Sequence, residues 1–166
     1  MATLVQDQDS TTYTNQIAAN PTPVLGNSSM GSVRFQEFEF TSDADVSLVT
    51  SEINLVKLPQ GAIKIIPGLS GVYVSDFGAS SNALDFGLRA YTDNGTAVPE
   101  DSTALASAVA CTTAGRIQID DELTTLGGML DVNSDTGVTV YATVTGGNMP
   151  AAATVKGWIA YISLQG

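Results

Sequence analysis

The segment at residues 53–67, INLVKLPQGAIKIIP, constrains the fold more than any other part of the sequence. Both of its halves are runs of β-branched and aliphatic residues, a composition typical of buried strands. Between the halves, Pro59 fixes φ at about −65° and Gly61 tolerates positive φ, which together suit a tight corner. We therefore predict two core strands joined by this Pro-Gln-Gly corner, with Lys57 and Lys64 marking strand edges that are protected by charge.

Alternation of apolar and polar residues predicts strands along much of the remaining chain. Residues 83–91 and 138–145 alternate regularly, and each is expected to bury one face. Residues 154–164 carry large apolar groups on both faces, which predicts a central strand or a contact between subunits. Shorter strands are expected at residues 71–76 and 115–119 and near Met129-Leu130, and a hairpin turn at Asp93-Asn94-Gly95.

The strand predicted at residues 32–40 shows a change of phase. Its apolar side chains are Val33, Phe35, Phe38 and Phe40. Strict alternation would need an apolar residue at position 37, which is a glutamate. We predict a β-bulge near Gln36 or Glu37, because one extra residue would return both halves to the same face.

Residues 99–110, PEDSTALASAVA, form the one segment with a helical composition. Acidic residues and a serine or threonine cap open the segment, and alanines fill it. We predict a short helix here that crosses from one sheet to another.

The predicted elements divide the chain into an extended N-terminal arm at residues 1–31 and a β-sandwich domain at residues 32–166. With about ten strands and one short helix, the fold class is all-β, a jelly roll or related β-sandwich. The arm is either a disordered terminus or a segment that orders against a neighbouring subunit. In the second interpretation its anchors are Tyr13, Ile17, Val24 and Leu25.

The charge of the chain restricts its partners. Six basic residues against seventeen acidic ones give a formal net charge of −11, and the basic residues are scattered along the sequence. DNA, RNA and anionic lipid would be repelled, so we predict no nucleic-acid partner and no membrane partner. Charged residues make up only 14% of the chain, which suits extensive contact with protein neighbours or, equally, a secreted module.

The sequence offers no targeting signal. No run approaches the roughly 18 apolar residues of a membrane span, and the first residues lack the basic and apolar regions of a signal peptide. We therefore expect synthesis in a cytoplasm. The single cysteine, Cys111, cannot form a disulfide within the chain and lies among small residues, so we predict a buried thiol.

Catalytic chemistry has few candidates in this sequence. There is no histidine, which removes histidine-based triads and the usual zinc sites, and the phosphate-binding glycine motifs are absent. Paired carboxylates remain as an enzymatic route. The candidates are Asp120-Asp121-Glu122, interpreted as a solvated turn, and Glu37 with Glu39 on one strand face. We predict no catalytic residue and no cofactor.

The segment at residues 131–137, DVNSDTG, is superficially similar to a calcium-binding loop. Its glycine comes one position late, and Ala142 occupies the place of the bidentate glutamate. We therefore predict a turn between strands and no metal site, although loop carboxylates leave calcium binding open.

Two segments carry a resemblance to a known family. Residues 56–64, VKLPQGAIK, are followed by ALDFGL at residues 83–88 and then by an Asp-Asn-Gly turn. Together with a Val/Thr-rich strand and a final aromatic strand, this pattern resembles the capsid decoration, or cement, proteins of tailed bacteriophages, which have jelly-roll-type folds. The resemblance covers residues 32–164.

The resemblance implies a non-enzymatic virion protein that binds the outer surface of a phage capsid and stabilises it by bridging capsomers. It implies two partners, the major capsid protein and further copies of the chain in a homotrimer, and a location on the capsid exterior. No binding residue is carried over, because the shared motifs determine the fold.

Two other functions stay open. A carbohydrate-binding β-sandwich, such as a host-attachment module, would stack exposed aromatic rings on sugars, and the candidates are Tyr73, Tyr91, Tyr141 and Trp158. The third function is a hydrolase that relies on carboxylates alone, which the absence of histidine does not exclude.

Overall fold

The computed structural model describes residues 8–9, 33–43, 48–78, 82–119 and 128–164. Within them lie thirteen strands and one three-residue 3-10 helix, Pro67–Leu69. The strands are β1 Gln8–Asp9, β2 Val33–Thr41, β3 Glu52–Leu58, β4 Gly61–Ile65, β5 Gly71–Val74, β6 Ala83–Leu88, β7 Tyr91–Asp93, β8 Thr96–Val98, β9 Asp101–Ala110, β10 Gly115–Ile117, β11 Leu130–Ser134, β12 Val138–Thr145 and β13 Thr154–Ser163. No helix in this described part of the chain has the length and apolar character needed to cross a membrane.

Most of the strands form two sheets. In the first, which we call the β12 sheet, the hydrogen-bonded order is β1-β3-β12-β6-β9. In the second, the β13 sheet, β2 pairs with one edge of β13, and β4 and β5 both pair with its other edge. Strands β11 and β10 then pair with β4 and β5, respectively. Strands β7 and β8 form a separate hairpin.

The topology is that of a jelly roll once β4 and β5 are counted as one interrupted strand. Opposite the interruption, Ile66 donates its amide to the Ala160 carbonyl at 2.8 Å, and the Ala160 amide donates to the Ser70 hydroxyl at 2.9 Å. We also count β10 and β11 as one strand and omit β1 and the β7–β8 hairpin. Eight strands remain, numbered 1 to 8 in chain order: β2, β3, β4/β5, β6, β9, β10/β11, β12 and β13. In this numbering the β13 sheet has the order 1-8-3-6 and the β12 sheet the order 2-7-4-5, the double-sheet arrangement of a jelly roll. The predicted fold class is confirmed.

The core lies between the two sheets and is built from alternate residues of their strands. These side chains are at most 5% exposed and form one contiguous cluster. The β12 sheet contributes Ile53, Leu55, Leu84, Phe86, Val140 and Ala142, and the β13 sheet contributes Phe38, Phe40, Ile63, Ile65, Val72, Val155 and Ile159. Cys111 belongs to the same cluster, and burial raises the pKa of its thiol to about 12. The predicted buried thiol is confirmed.

The segment at residues 53–67 contributes to both sheets. Strand β3 belongs to the β12 sheet and β4 to the β13 sheet, and Pro59 and Gln60 carry the chain from one to the other. Gly61 has φ +92°, so the predicted corner is confirmed. The edge-strand interpretation of Lys64 is wrong, because β4 is paired on both sides, with β13 and with β11.

Residues 101–110, predicted to be helical, form strand β9, so the helix prediction is wrong. Strand β9 pairs antiparallel with β6, and its Leu105 and Ala106 are fully buried. Helix propensity is a weak preference, and packing against β6 outweighs it. Ala108 has φ +50° in an irregular part of this ladder, where its amide donates to the Asp85 carboxylate at 2.6 Å.

Strand β2 runs without a bulge, contrary to the prediction. Its nine residues pair with β13 in one continuous antiparallel register. Phe38 and Phe40 face the core, and Gln36 is buried on the same side. Val33 and Phe35 point outward instead, so the phase change in the sequence places two apolar side chains on the outside of the sandwich.

The other predicted strands agree with β5, β6, β10, β12 and β13, and β13 is central because it is paired on both edges. The Asp93-Asn94-Gly95 turn closes the β7–β8 hairpin, with positive φ at Asn94 and Gly95. The turn predicted at residues 131–137 is shorter than expected, because residues 131–134 belong to β11 and the bend lies at Asp135 and Thr136.

Two predictions fall mainly outside the described residues. Of the N-terminal arm, Gln8–Asp9 form β1, which pairs in parallel with β3 opposite Ile53 and Asn54. The four predicted anchors of the arm and the acidic group at residues 120–122 lie outside the described ranges. The division into an arm at 1–31 and a domain at 32–166 stays a prediction.

Candidate interaction surface

The outer face of β13 brings apolar side chains to the surface of the protein. Alternate residues of β13 fill the core, so the residues between them point outward. Neighbouring side chains from β2, from β5 and from the 3-10 helix extend this face on both sides. We call the resulting apolar group the β13 outer surface, and its members are Val33, Phe35, Leu69, Tyr73, Trp158 and Ile162.

Four of these side chains are unusually exposed for their type. The exposed fraction is 56% for Phe35, 50% for Leu69, 38% for Tyr73 and 37% for Val33. Trp158 is half-buried between them. Single exposed apolar residues are ordinary on a protein, but a group of them on one face is typical of a contact site.

Trp158 is held in a fixed position at the centre of this surface. Its indole Nε1 donates to the Leu69 carbonyl at 3.0 Å, and its ring centroid lies 6.0 Å from that of Tyr73, at an interplanar angle of 46°. The ring also covers Gly71, where a Cβ atom would stand only 2.5 Å from it. A tryptophan whose polar atom is already bonded and whose ring cannot sink inward is a preorganised anchor for a partner.

Charged residues flank the apolar side chains in two groups of opposite sign. Glu37 and Glu39 lie on β2, Lys156 lies on β13 directly opposite Glu39, and Arg116 lies two strands further, on β10. Arg116 is fixed by donating to the Ser70 carbonyl at 3.1 Å. At the far end of the sheet, Lys64 pairs with Asp131 at 2.9 Å. The face therefore carries three basic and three acidic groups.

The outer face of the β12 sheet has a different character, because one group of its polar side chains is bonded together through Arg89. Arg89 donates from Nε to the Asn54 side chain at 2.8 Å and from Nη1 to Glu100 at 3.0 Å and to Glu52. Its guanidinium also lies 4.1 Å above the ring of Tyr141. We call these five residues the Arg89 cluster, and it ties together β3, β12, the segment that follows β6 and the segment that precedes β9.

Burial and ion pairing shift the pKa values within the Arg89 cluster. Burial raises the pKa of Tyr141, and the carboxylates of Glu100 and Glu52 raise it further. Burial alone would lower the pKa of Arg89, but its bonds to Glu52 and Glu100 outweigh this effect and raise it. Because both carboxylates bind the same guanidinium, they act as partners of Arg89 and not as an acid–base pair.

Other carboxylates of the described residues are also engaged by the protein itself. Asp135 accepts the amides of Asn94 and Gly95 at 3.1 and 2.9 Å, and Asp93 accepts an amide hydrogen bond from Asn133 at 2.7 Å. Among the described residues, no three acidic or cysteine side chains cluster as metal ligands would.

The structure brings together two of the four aromatic residues predicted for sugar stacking. Tyr73 and Trp158 are neighbours on the β13 outer surface, whereas Tyr141 is buried under Arg89 on the other sheet. Sequence reasoning missed Phe35 and Leu69 as surface residues. The signal for Phe35 was present, since regular alternation without a bulge would have placed it opposite Phe38 and Phe40.

Comparison with known proteins places the fold among viral capsid structures. No protein-family model and no curated protein sequence matches the chain. A chain from the capsid of Ralstonia phage GP4 is similar in structure, with a TM-score of 0.63, 17% sequence identity, and coverage of 99% of this chain and 100% of that one. A chain of the cyanophage Pam1 capsid asymmetric unit has a TM-score of 0.53 and 14% identity, with coverage of 85% and 91%. At these identities the similarity establishes the shared fold.

Proposed function

We propose that this chain is a non-enzymatic structural protein of a bacteriophage virion. The observation that carries the proposal is the similarity to a chain of the Ralstonia phage GP4 capsid, which spans essentially the whole of both chains. A chain of this extent and this fold therefore occurs in a phage capsid. The sequence resemblance to capsid decoration proteins supports the same role independently.

In the finer form of the proposal, the protein is a cement protein. It binds the outer surface of the assembled shell, bridges neighbouring capsomers through contacts with the major capsid protein, and acts as a homotrimer. The β13 outer surface supports this role, because exposed aromatic and aliphatic side chains form stable joints when they are buried against protein. The net charge of −11 agrees with a position away from the packaged DNA.

Cosedimentation with capsids tests the proposal. Capsids of the encoding virus, assembled without this protein, are mixed with increasing amounts of it, pelleted, and analysed for bound copies per shell. We expect saturation at a copy number that matches positions of icosahedral symmetry, and a higher temperature of capsid disruption. A heat-unfolded sample of the same protein is the control. Absence of saturable binding would overturn the cement function.

Carbohydrate binding is the second candidate, because Tyr73 and Trp158 are adjacent and accessible on the same face. A sugar site also needs polar groups directed at the ligand. The indole nitrogen is already bonded to Leu69, and the nearest exposed neighbours include Phe35 and Leu69. A glycan array and tryptophan fluorescence titration test this function, and saturable quenching by a glycan without capsid binding would establish it in place of cementing.

A further inference from the structure

We propose that the β13 outer surface binds a second copy of this chain, with Glu37 and Glu39 of one copy facing Lys156 and Arg116 of the next. This assignment rests on the proposed virion role and specifies the partner of one surface in it. It is derived from the area of that face, from its net charge and from the positions of its acidic and basic residues.

The size of the face suits contact between copies. Strand β13 has ten residues, and four strand positions lie side by side in its sheet. At the usual strand dimensions, such a face measures roughly 20 by 30 Å. A stable interface buries about 800 Å² on each partner, and the side chains of this face add area to the flat estimate. The face can therefore supply most of a copy-to-copy interface.

The charge of the face permits a second copy to approach. Two copies of a chain with net charge −11 repel each other over most of their surfaces. On the outer face of the β13 sheet the charged groups balance, because Lys64, Arg116 and Lys156 offset Glu37, Glu39 and Asp131. The remainder of the chain accordingly carries the whole formal charge of −11. Like copies can therefore meet through this face without a large repulsion.

The uneven distribution of acidic and basic residues across the face gives the contact an orientation. Acidic residues lie on the β2 side of Trp158, and basic residues lie on β13 and on the β10 side. Turning a second copy over about an axis parallel to β13 places its β2 side above the β10 side of the first. Acidic groups then face basic groups while the apolar residues between them meet.

Reciprocal charge reversal tests this inference. The first variant is Glu37→Lys with Glu39→Lys, and the second is Arg116→Glu with Lys156→Glu. The matched control is Asp76→Lys with Asp101→Lys, which makes the same net change as the first variant at exposed residues outside this face. Association is measured by sedimentation velocity and light scattering over a concentration series, and folding is checked by circular dichroism.

We expect the wild type and the control to associate, and each face variant alone to associate at least about ten-fold more weakly, because like charges then face each other. An equimolar mixture of the two face variants is expected to recover most of the wild-type association. A wild type that remains monomeric, or face variants that associate as the wild type does, would overturn the inference.

Capsid cosedimentation of the same variants separates this inference from the proposed function. If face variants keep self-association but lose capsid binding, the shell and not a second copy occupies the surface, and the inference is wrong. If copies associate as expected but neither the wild type nor any variant binds capsids, the inference holds and the cement function fails.

Discussion

The outer faces of the two sheets differ in whether their side chains find partners within one chain. On the β12 sheet, Arg89 bonds to Asn54, Glu52 and Glu100 and covers the ring of Tyr141, so the polar groups and the aromatic ring are largely engaged within one chain. On the β13 sheet, Phe35 and neighbouring apolar side chains remain exposed, with charges arranged around them.

This difference shows which face is complete in a single copy. Partly buried ion pairs and a stacked guanidinium stabilise the chain that contains them, and they gain little from a partner. Exposed aromatic rings gain by leaving water, which requires another molecule. Substitutions on the β12 face should therefore change folding stability, and substitutions on the β13 face should change association.

We call the outer face of the β12 sheet the closed face and that of the β13 sheet the open face. The largest effect on stability is expected from alanine at Gly87, beneath the closed face. A Cβ atom there would stand 2.1 Å from the Asp101 carbonyl oxygen, and that backbone belongs to the neighbouring strand. We expect Gly87→Ala to lower the free energy of unfolding by at least about 3 kcal/mol, measured by urea denaturation.

The same substitution at Gly71 is its counterpart on the open face. There the Cβ atom would meet the ring of Trp158 at 2.5 Å and would push it toward solvent, away from its hydrogen bond to Leu69. We expect a cost of about 1–2 kcal/mol with a red shift of tryptophan fluorescence. Equal losses of stability for the two variants would contradict the distinction between a closed and an open face.

The next effect is the loss of the Arg89 side chain. In Arg89→Met, Glu52 and Glu100 lose their shared partner, and the ring of Tyr141 loses its cover. Removing one member of a fully buried pair costs about 3–5 kcal/mol. These side chains keep 21–39% exposure, so we expect about 2 kcal/mol by urea denaturation. Arg89→Lys keeps the charge without the planar fork and should be intermediate. A variant as stable as the wild type would show that the cluster contributes nothing.

Trp158→Ala should mainly weaken association, whereas Arg89→Met should mainly lower folding stability. The ring is half-buried on the outer face and makes one hydrogen bond, to Leu69, so we expect a stability cost of about 1–2 kcal/mol. Association, measured by sedimentation, should fall much more than stability does. If Arg89→Met abolished association in a folded protein and Trp158→Ala did not, the assignment of the two faces would have to be exchanged.

Alkaline pH provides a fourth test, directed at Tyr141. Burial raises the pKa of Tyr141 in the folded protein, so the folded state keeps this proton to a higher pH than the unfolded chain. The associated stability is present below about pH 10 and is lost as the pH rises further, by up to about 1.4 kcal/mol per pH unit. Tyr141→Phe should lose less stability above pH 10 than the wild type.

At neutral pH, Tyr141→Phe should match the wild type within about 1 kcal/mol. The buried Tyr141 hydroxyl lies beside the Glu100 carboxylate, so its removal gives up at most one hydrogen bond, worth about 1 kcal/mol. Cys111 also has a raised pKa, but it is present in both proteins and cancels in the comparison. Identical stability curves above pH 10 would show that Tyr141 titrates in the same range in the folded and unfolded chains.

The sequence predicts most of the fold because the core strands follow local rules. The corner at Pro59–Gly61 needs only a fixed φ and a positive φ, and the regular alternation of residues 138–145 assigns a buried face to β12 without further information. The balanced charge and exposure of the β13 face depend instead on which strands become neighbours. No local pattern places Arg116 or Leu69 on the same face as Trp158, since long-range pairing brings them there.

Two of the three wrong local predictions, the bulge in β2 and the helix at β9, have the same physical origin. In β2, the predicted bulge requires burial of every apolar residue, whereas Val33 and Phe35 point outward. In β9, alanine composition favoured a helix, whereas the pairing with β6 decided the conformation. Tertiary contacts outweighed local preference at both places, and the first of them is part of the candidate interaction surface.

The smallest predicted effect lies in β9, at the edge of the closed sheet. Ala108 has φ +50°, a conformation that costs a residue with a Cβ atom about 1–2 kcal/mol and costs glycine little. Glycine loses more entropy on folding, which offsets part of this gain. We expect Ala108→Gly to raise the free energy of unfolding by about 0.5–1 kcal/mol, measured as a higher Tm.

Ala106→Gly is the matched control for this last variant, because Ala106 lies in the same strand, has no positive φ and is fully buried opposite Phe86. It should destabilise the protein by about 1 kcal/mol, since glycine there brings only flexibility and a lost contact. Opposite signs for the two substitutions would tie the gain to the left-handed backbone at Ala108 and not to glycine in β9 generally. A loss of stability in both variants would mean that the hydrogen bond from Ala108 to Asp85 does not hold that conformation in solution.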